Sequence, residues 1–396
     1  MKLRTRGILF YVFIGAFVAT APIVVLYTAG YRYDFGAGRI VQTGLLSVGS
    51  IPRGANIRLD GTDGSATTPS LLKNVFPGDR ELSVNKDGYS PWKKTLPVES
   101  RATTFADDIV LFLDATPSLV RGTDLRAASV NPRGTKAASA TTTGQWTEVW
   151  IDALPGGSRI LVSRLPVGAE ADVRFEWLEG GTVLSTSAVD RGVTTVVLVE
   201  TETGSTVAAL SASDVILSPS SDRVAVSRAN GESNDILAYV PSGDYAVGST
   251  PGGIIQLEDT ERRRLLLVSS TGGDQPILLN AGATHWQWEP SGNRLLYTDG
   301  FDLHVYDVSS HADETITRLS SHVTWVAWYP GHSYVLYAQE DAIYAAELDR
   351  RGERNVTRLV SGSNLRSFAP SANGATLWFF GTVDGASGLF ERKLQR

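Results

Sequence analysis

His285-Trp286-Gln287-Trp288-Glu289-Pro290-Ser291-Gly292-Asn293-Arg294-Leu295-Leu296-Tyr297 and Thr324-Trp325-Val326-Ala327-Trp328-Tyr329-Pro330-Gly331-His332-Ser333-Tyr334-Val335-Leu336-Tyr337 follow one plan. Each has a short apolar strand, a turn with Pro and Gly, and a second apolar strand. Glycine supplies a turn conformation closed to other residues, so the pattern punctuates strands rather than helices. Related copies occur at Ala128–Gly134, Phe175–Gly181, Val215–Val226 and Phe368–Gly374. Their turns fall at 132, 179, 219, 290, 330 and 370, with intervals of 47, 40, 71, 40 and 40. The long interval contains a degenerate copy, Ile254–Glu258 followed by Arg264–Val268, whose marker at 258 leaves units near 40 residues. That is the period of a propeller blade of about four strands.

Third strands are expected at Glu148–Ile151, Val196–Val199, Ile236–Val240, Leu303–Val308, Ala342–Glu347 and Gly388–Lys393, and fourth strands at Arg159–Val162, Ile316–Leu319 and Val356–Val360. The last copy ends after its third strand. Pro117–Arg121, which loosely resembles Val356-Thr357-Arg358-Leu359, is expected to supply the fourth and remove two exposed edges. The region 116–396 resembles the six- and seven-bladed propellers of bacterial envelopes, such as the Tol-type periplasmic and prolyl-peptidase propellers. The resemblance implies a propeller of seven blades, with six as the alternative. Its Pro-x-Gly boxes are shared by many propellers and imply no activity.

At the other end, residues 1–30 are expected to form a cytoplasmic tip and a transmembrane anchor. Lys2, Arg4 and Arg6 precede 24 uncharged residues, Gly7 to Gly30. A helix of that length is ~36 Å long, enough to cross a hydrocarbon core of ~30 Å with some tilt. Positive residues before the apolar run keep the amino end inside the cytoplasm and export the rest. The competing reading is a signal peptide cleaved after Ala19-Thr20-Ala21. Pro22 directly after that site, and an apolar run unbroken to Ala29, favour the uncleaved anchor. A lipid-modified anchor is excluded, since the chain has no cysteine. Residues 31–43 read as a short polar and aromatic stalk.

Alternating runs at Leu46–Val48, Asn56–Leu59 and Glu81–Val84 mark half-buried strands, separated by turn-forming Pro52–Ala55, Asp60–Gly64 and Pro77–Asp79. Ser50-Ile51-Pro52-Arg53-Gly54-Ala55-Asn56-Ile57-Arg58-Leu59-Asp60-Gly61, Thr68-Pro69 and Phe76-Pro77-Gly78-Asp79-Arg80-Glu81-Leu82-Ser83-Val84-Asn85-Lys86-Asp87-Gly88-Tyr89 resemble the PEGA domain in order and spacing. Arg53 stands where the family name has Glu, at an expected exposed turn. The resemblance covers 44–98 and implies a small β-sandwich with a structural or adhesive role in bacterial surface and membrane proteins. Residues 99–115 are left as a connecting segment. The fold class is therefore all-β: anchor, PEGA-like sandwich, propeller.

Composition narrows the chemistry. Without cysteine there are no disulfides, thiolate nucleophiles or cysteine zinc sites. Residues 1–43 carry a net charge of +4 and the remainder −10, which disfavours nucleic acid as a partner and repels anionic polymers unless a divalent cation bridges them. The basic run Arg262-Arg263-Arg264, flanked by Glu258, Asp259 and Glu261, reads as a solvated turn. Asp60–Gly64 is not a helix–loop–helix calcium loop, because the closing Glu would fall at Leu71. There is no Gly-x-Ser-x-Gly, and Gly385-Ala386-Ser387-Gly388 reads as a hairpin turn. His285, His304, His311, His322 and His332 lack metal-ligand spacing, and no nucleotide-binding glycine motif occurs. Trp286, Trp288, Trp325 and Trp328 are expected to pack between blades rather than line a ligand face. The sequence thus predicts no catalytic residue, cofactor site or metal site. It predicts a non-enzymatic, single-pass membrane protein of the cell envelope, docking a protein or wall polymer on its propeller. The alternative is an envelope hydrolase or lyase with its site at the propeller channel mouth.

Overall fold

The computed structural model describes residues 3–36, 38–122, 127–168, 171–178, 181–190, 193–207, 215–230, 233–248, 253–271 and 277–396. The chain divides into two compact units, one of residues 1–114 with 349–355, the other of 115–348 with 356–396.

The first unit begins with the helix Leu3–Thr28, whose window Leu9–Thr28 has a mean hydropathy of 2.4 and no buried residue. Lys2 lies outside the described residues. The stretch read as a stalk folds into a hairpin, Tyr31–Asp34 against Arg39–Gln42. It caps the helix, whose last carbonyls lack intrahelical donors. Arg32 donates to Tyr27 O (2.7 Å), and Gln42 Nε2 donates to Ala29 O (2.9 Å).

Two sheets then face each other. In one, Gly44–Ile51 lies between Ser70–Val75 and Thr103–Val110; the other runs Thr62–Thr67, Asn56–Leu59, Gly78–Asn85, Trp92–Val98. Leu46, Val48, Ile57, Leu82, Val84 and Leu96 alternate inward into a dry core. The Thr68-Pro69 motif has a clear role, as the buried Thr68 hydroxyl meets Ser50 Oγ (2.6 Å) and the Ala55 amide (3.0 Å), fixing the Pro52–Ala55 turn. Arg53 is exposed in that turn. The segment 99–115, expected only to connect, instead supplies Thr103–Val110, parallel to Gly44–Ile51.

A seven-residue piece, Asp349–Asn355, also belongs to this unit. The Lys94 side chain is fully buried, donating to Asp349 O (2.8 Å) and lying 3.4 Å from Asp349 Oδ2. Arg351 bonds Asp349 and reaches Phe105 O (2.8 Å).

The second unit carries seven antiparallel sheets among the described residues, here A to G in chain order. Their strands are Ala128–Val130, Lys136–Thr143, Trp146–Ala153 and Arg159–Leu165 (A); Asp172–Leu178, Val183–Asp190 and Val193–Glu200 (B); Val215–Pro219, Arg223–Asn230 and Ser233–Pro241 (C); Tyr245–Gly248, Ile254–Asp259, Arg264–Ser269 and Ile277–Ala281 (D). Sheet E has His285–Trp288, Arg294–Thr298, Asp302–Asp307 and Ala312–Arg318; F has Trp325–Trp328, Tyr334–Ala338, Ala342–Glu347 and Val356–Ser361; G has Ser363–Pro370, Thr376–Val383 and Ala386–Lys393. Sheet G is completed by Ser118–Gly122, which pairs antiparallel with Ala386–Lys393, Ser118 opposite Glu391 and Gly122 opposite Gly388. Successive antiparallel sheets, with the first strand of the unit built into the last sheet, form a β-propeller-like architecture.

One turn recurs after the first strand of sheets A, E, F and G. The amides of Asn131, Glu289, Tyr329 and Ser371 donate to the carbonyls five residues on, and their own carbonyls accept from the residues three on. That third position has positive φ in each copy: Gly134, Gly292, His332 and Gly374. The glycine of sheet F, Gly331, is therefore one residue out of phase, and His332 takes the third position with positive φ. The turns also nest, since a Cβ on Gly134 would meet Pro370 O at 2.3 Å, and one on Gly374 would meet Tyr329 Oη at 2.6 Å.

The degenerate copy differs from expectation. Ile254–Asp259 is second in sheet D, because Tyr245–Gly248 pairs on its other side. The expected turn at Glu179-Gly180 lies outside the described residues.

Candidate functional site

First strands of propeller sheets crowd together, so their side chains either bond across sheets or face the space between them. The tryptophans bond. Trp288 Nε1 donates to Gln256 Oε1 of sheet D (2.8 Å), and Trp328 Nε1 to Gln287 O of sheet E (2.9 Å). Trp325 Nε1 donates to Phe368 O of sheet G (3.1 Å). Trp325 and Trp328 thus serve opposite neighbours, as their spacing of three along a strand requires. Trp286 packs partly buried against Leu265, Leu295 and Tyr297.

A second group carries charge. Glu289 binds Arg294 through both oxygens (2.9 and 3.0 Å) and lies 2.7 Å from His332 Nδ1. Burial alone would raise its pKa, but the bonds and charge of Arg294, with His332, hold it below the usual carboxylate range. In sheet D the same arrangement is made by Asp259, fully buried and bonded to Arg262 and Arg264. Two of the three arginines read as a solvated turn are therefore committed to a buried carboxylate. Burial would raise the Asp259 pKa, and those two arginines lower it overall.

His285, on the first strand of sheet E, lies 4.9 Å from the Trp325 ring centroid. Burial, with smaller contributions from the charges of His322 and Arg263, lowers its pKa to about 4. It is therefore a neutral imidazole at neutral pH. Its Nδ1 is buried without a protein partner.

Two carboxylates on different sheets influence one another. Burial raises the pKa of Glu176 on sheet B. Burial and then the Glu176 charge raise that of Glu258 on sheet D, with Arg263 opposing. Glu176 is nevertheless exposed to solvent. Nothing in the sequence signalled this pair, because its members are 82 residues apart in separate repeats.

Asp299, Asp302 and His304 bring one ligand atom each within 4.8 Å of one another, a grouping the spacing of histidines alone did not show. Both oxygens of Asp302 are held by Arg318 (2.6 to 3.2 Å). Asp299 Oδ1 accepts the Phe301 and Asp302 amides, which makes it a turn anchor. A cation here would have to displace Arg318. The Gly385-Ala386-Ser387-Gly388 string is a hairpin as expected, with Asp384 and Gly385 at positive φ.

In the first unit an open cleft of about 400 Å³ lies between the two sheets, floored by Ile57, Leu59, Leu72 and Val75. Asp60 and Arg80 pair across its rim at 3.1 Å. The Asp60-Gly61 turn is thus a hairpin with an ion pair attached.

Comparison with known proteins adds the following. Residues 43–109 match the PEGA domain family, a match that takes in all but the last residue of the parallel strand Thr103–Val110. No curated protein matches the chain in sequence. Among solved structures, the chain is similar to one in the crystal structure of a mitotic checkpoint complex. The two share 14% identity at a TM-score of 0.45, over 71% of this chain and 92% of that one.

Proposed function

We propose that this is a membrane-anchored envelope protein with its amino end in the cytoplasm, whose exported seven-bladed propeller is a non-enzymatic docking platform for a protein or wall polymer. Three features support the reading. The helix over Leu9–Thr28 is apolar enough to span. The remainder of the chain is acidic and includes a PEGA-like sandwich. The observation that carries it is the commitment of the conspicuous side chains. Trp288, Trp325, Trp328, Glu289, Arg294 and Asp259 are each bonded across or within sheets, as scaffold residues are.

The Glu176–Glu258 pair favours a second reading, an envelope hydrolase or lyase, because paired carboxylates of raised pKa suit general acid work. The two readings separate in one experiment. The full chain is crosslinked in its own membranes, captured and washed, and the purified protein is incubated with wall fragments. Docking predicts a reproducible crosslinked partner and no turnover. Turnover abolished by Glu176→Gln would establish the enzyme instead.

A further inference from the structure

Ser233–Pro241, the third strand of sheet C, has no fourth strand on its outer side among the described residues. The connection that follows it is too short to form one. Pro241 ends this strand and Tyr245 opens the first strand of sheet D, so three residues join them. In sheets A, D, E and F the equivalent place is filled by the next segment of chain, and in sheet G by Ser118–Gly122, from the far end of the unit.

The composition of the open strand matches this position. A strand meant to stay at an edge is usually guarded by charge. The fourth strands of sheets A, E, F and G carry Arg159 and Arg164; Asp313, Glu314 and Arg318; Arg358; and Arg121 respectively, while that of sheet D is uncharged. Ser233–Pro241 carries one charge, Asp235 near its start, while its stretch Ile236 to Val240 has none and reads like the covered stretches Leu303–Tyr306 and Ala342–Ala346 of other third strands. Yet Ile236 is 56% exposed and Tyr239 46% exposed. The Arg223 guanidinium lies over the Tyr239 ring at 4.2 Å, fixing it beside the open edge.

We propose that the outer edge of Ile236–Val240 is an acceptor site for an extended peptide strand of a partner protein, which adds to sheet C as its fourth strand. The chemistry of the edge selects this class of ligand. Alternating amides and carbonyls spaced along a strand are satisfied together only by another extended backbone. The molecule contains the precedent, since sheet G takes its fourth strand from a segment not contiguous with it. The fourth strands already present indicate which side chains fit: Val162 and Leu165, Ile316, and Leu359 with Val360 are the buried members. The incoming segment is therefore about five residues long with an aliphatic residue facing the sheet. This inference deepens the docking reading and rests on it.

The probe is a synthetic peptide covering residues 354–362, the fourth strand of sheet F, added to the full chain. Before addition, amides on the outer side of Ile236–Val240 should exchange with deuterium at least a hundredfold faster than those of Leu303–Tyr306. The peptide should slow them, and its fluorescence anisotropy should report saturable binding. Ile236→Lys, or a peptide with alternate amides N-methylated, should weaken binding more than tenfold while the melting curve stays in place. Amides in Ile236–Val240 protected from the start, or binding indifferent to both changes, would overturn the proposal. Concentration-dependent dimerisation lost in Ile236→Lys would also overturn it, naming a second copy as occupant. A crosslinked partner that survives Ile236→Lys would remove the edge site while leaving the docking reading intact.

Discussion

Sheets C and G are alike in sequence and opposite in outcome. Among the described residues each has three consecutive strands of its own. Sheet G is completed by Ser118–Gly122, whose Arg121 also reaches Asp152 of sheet A at 2.9 Å. Sheet C keeps an open side. The difference lies in where the chain enters the unit. A propeller-like ring can be closed by its own first segment only in the sheet that meets that segment.

The comparison can be broken most severely at sheet G. Removing residues 388–396 takes away a central strand with Leu389 and Phe390, 1% and 3% exposed. Each such side chain contributes roughly 1.5–3 kcal/mol by burial, and the bonds to two neighbouring strands go with them. A loss above about 5 kcal/mol is expected, enough to unfold the unit. Calorimetry of the shortened and full chains checks this; equal melting temperatures would show that the closure contributes nothing. A finer cut is Gly388→Val. A Cβ at Gly388 would lie 2.1 Å from Arg121 O, so the two strands must part, at a cost of roughly 3 kcal/mol. Denaturant melts should show a lower midpoint, with faster amide exchange in Ser118–Gly122.

A third expectation concerns acid. The His285 pKa is about 4 in the folded chain and about 6.5 unfolded. Between those values the unfolded chain binds more protons, so stability is complete above about pH 6.5 and lost as pH falls toward 4. The loss should be about 3 kcal/mol. His285→Phe, which keeps a ring beside Trp325, should flatten the stability–pH curve in that window and leave the carboxylates of lowered pKa, Glu289 and Asp259 among them, to act lower down. An unchanged slope would remove His285 from the account. The smallest effect belongs to sheet C, where Ile236→Thr should move stability by no more than about 0.5 kcal/mol, because the Ile236 side chain is 56% exposed.

The sequence made some of this legible. The repeated turn was visible because its backbone needs a left-handed residue, and glycine answers that need in three of the four copies with identical hydrogen bonds. The closing strand was visible because Val356-Thr357-Arg358-Leu359 has an echo in Pro117–Arg121. Sheet D was misjudged, since Tyr245–Gly248 is too short to show a period and its pairing to Ile254–Asp259 is set in three dimensions. Thr103–Val110 was missed because Asp107-Asp108 breaks its alternation and its parallel partner lies some 60 residues earlier. Glu176 and Glu258 come within electrostatic reach only once sheets B and D are folded, so no local pattern announces them.

The fully buried Lys94 has a consequence for how such a gene can change. Its counter-ion, Asp349, lies 255 positions downstream, on a segment where the chain leaves the propeller unit and returns to it. A recombination breakpoint after Asp114 would therefore separate the sandwich from part of itself, exposing an ammonium stem shaped for a dry site. The two units cannot be shuffled as independent cassettes; a lineage that exchanged one would have to carry Asp349–Asn355 along or rebuild the surface around Lys94 first.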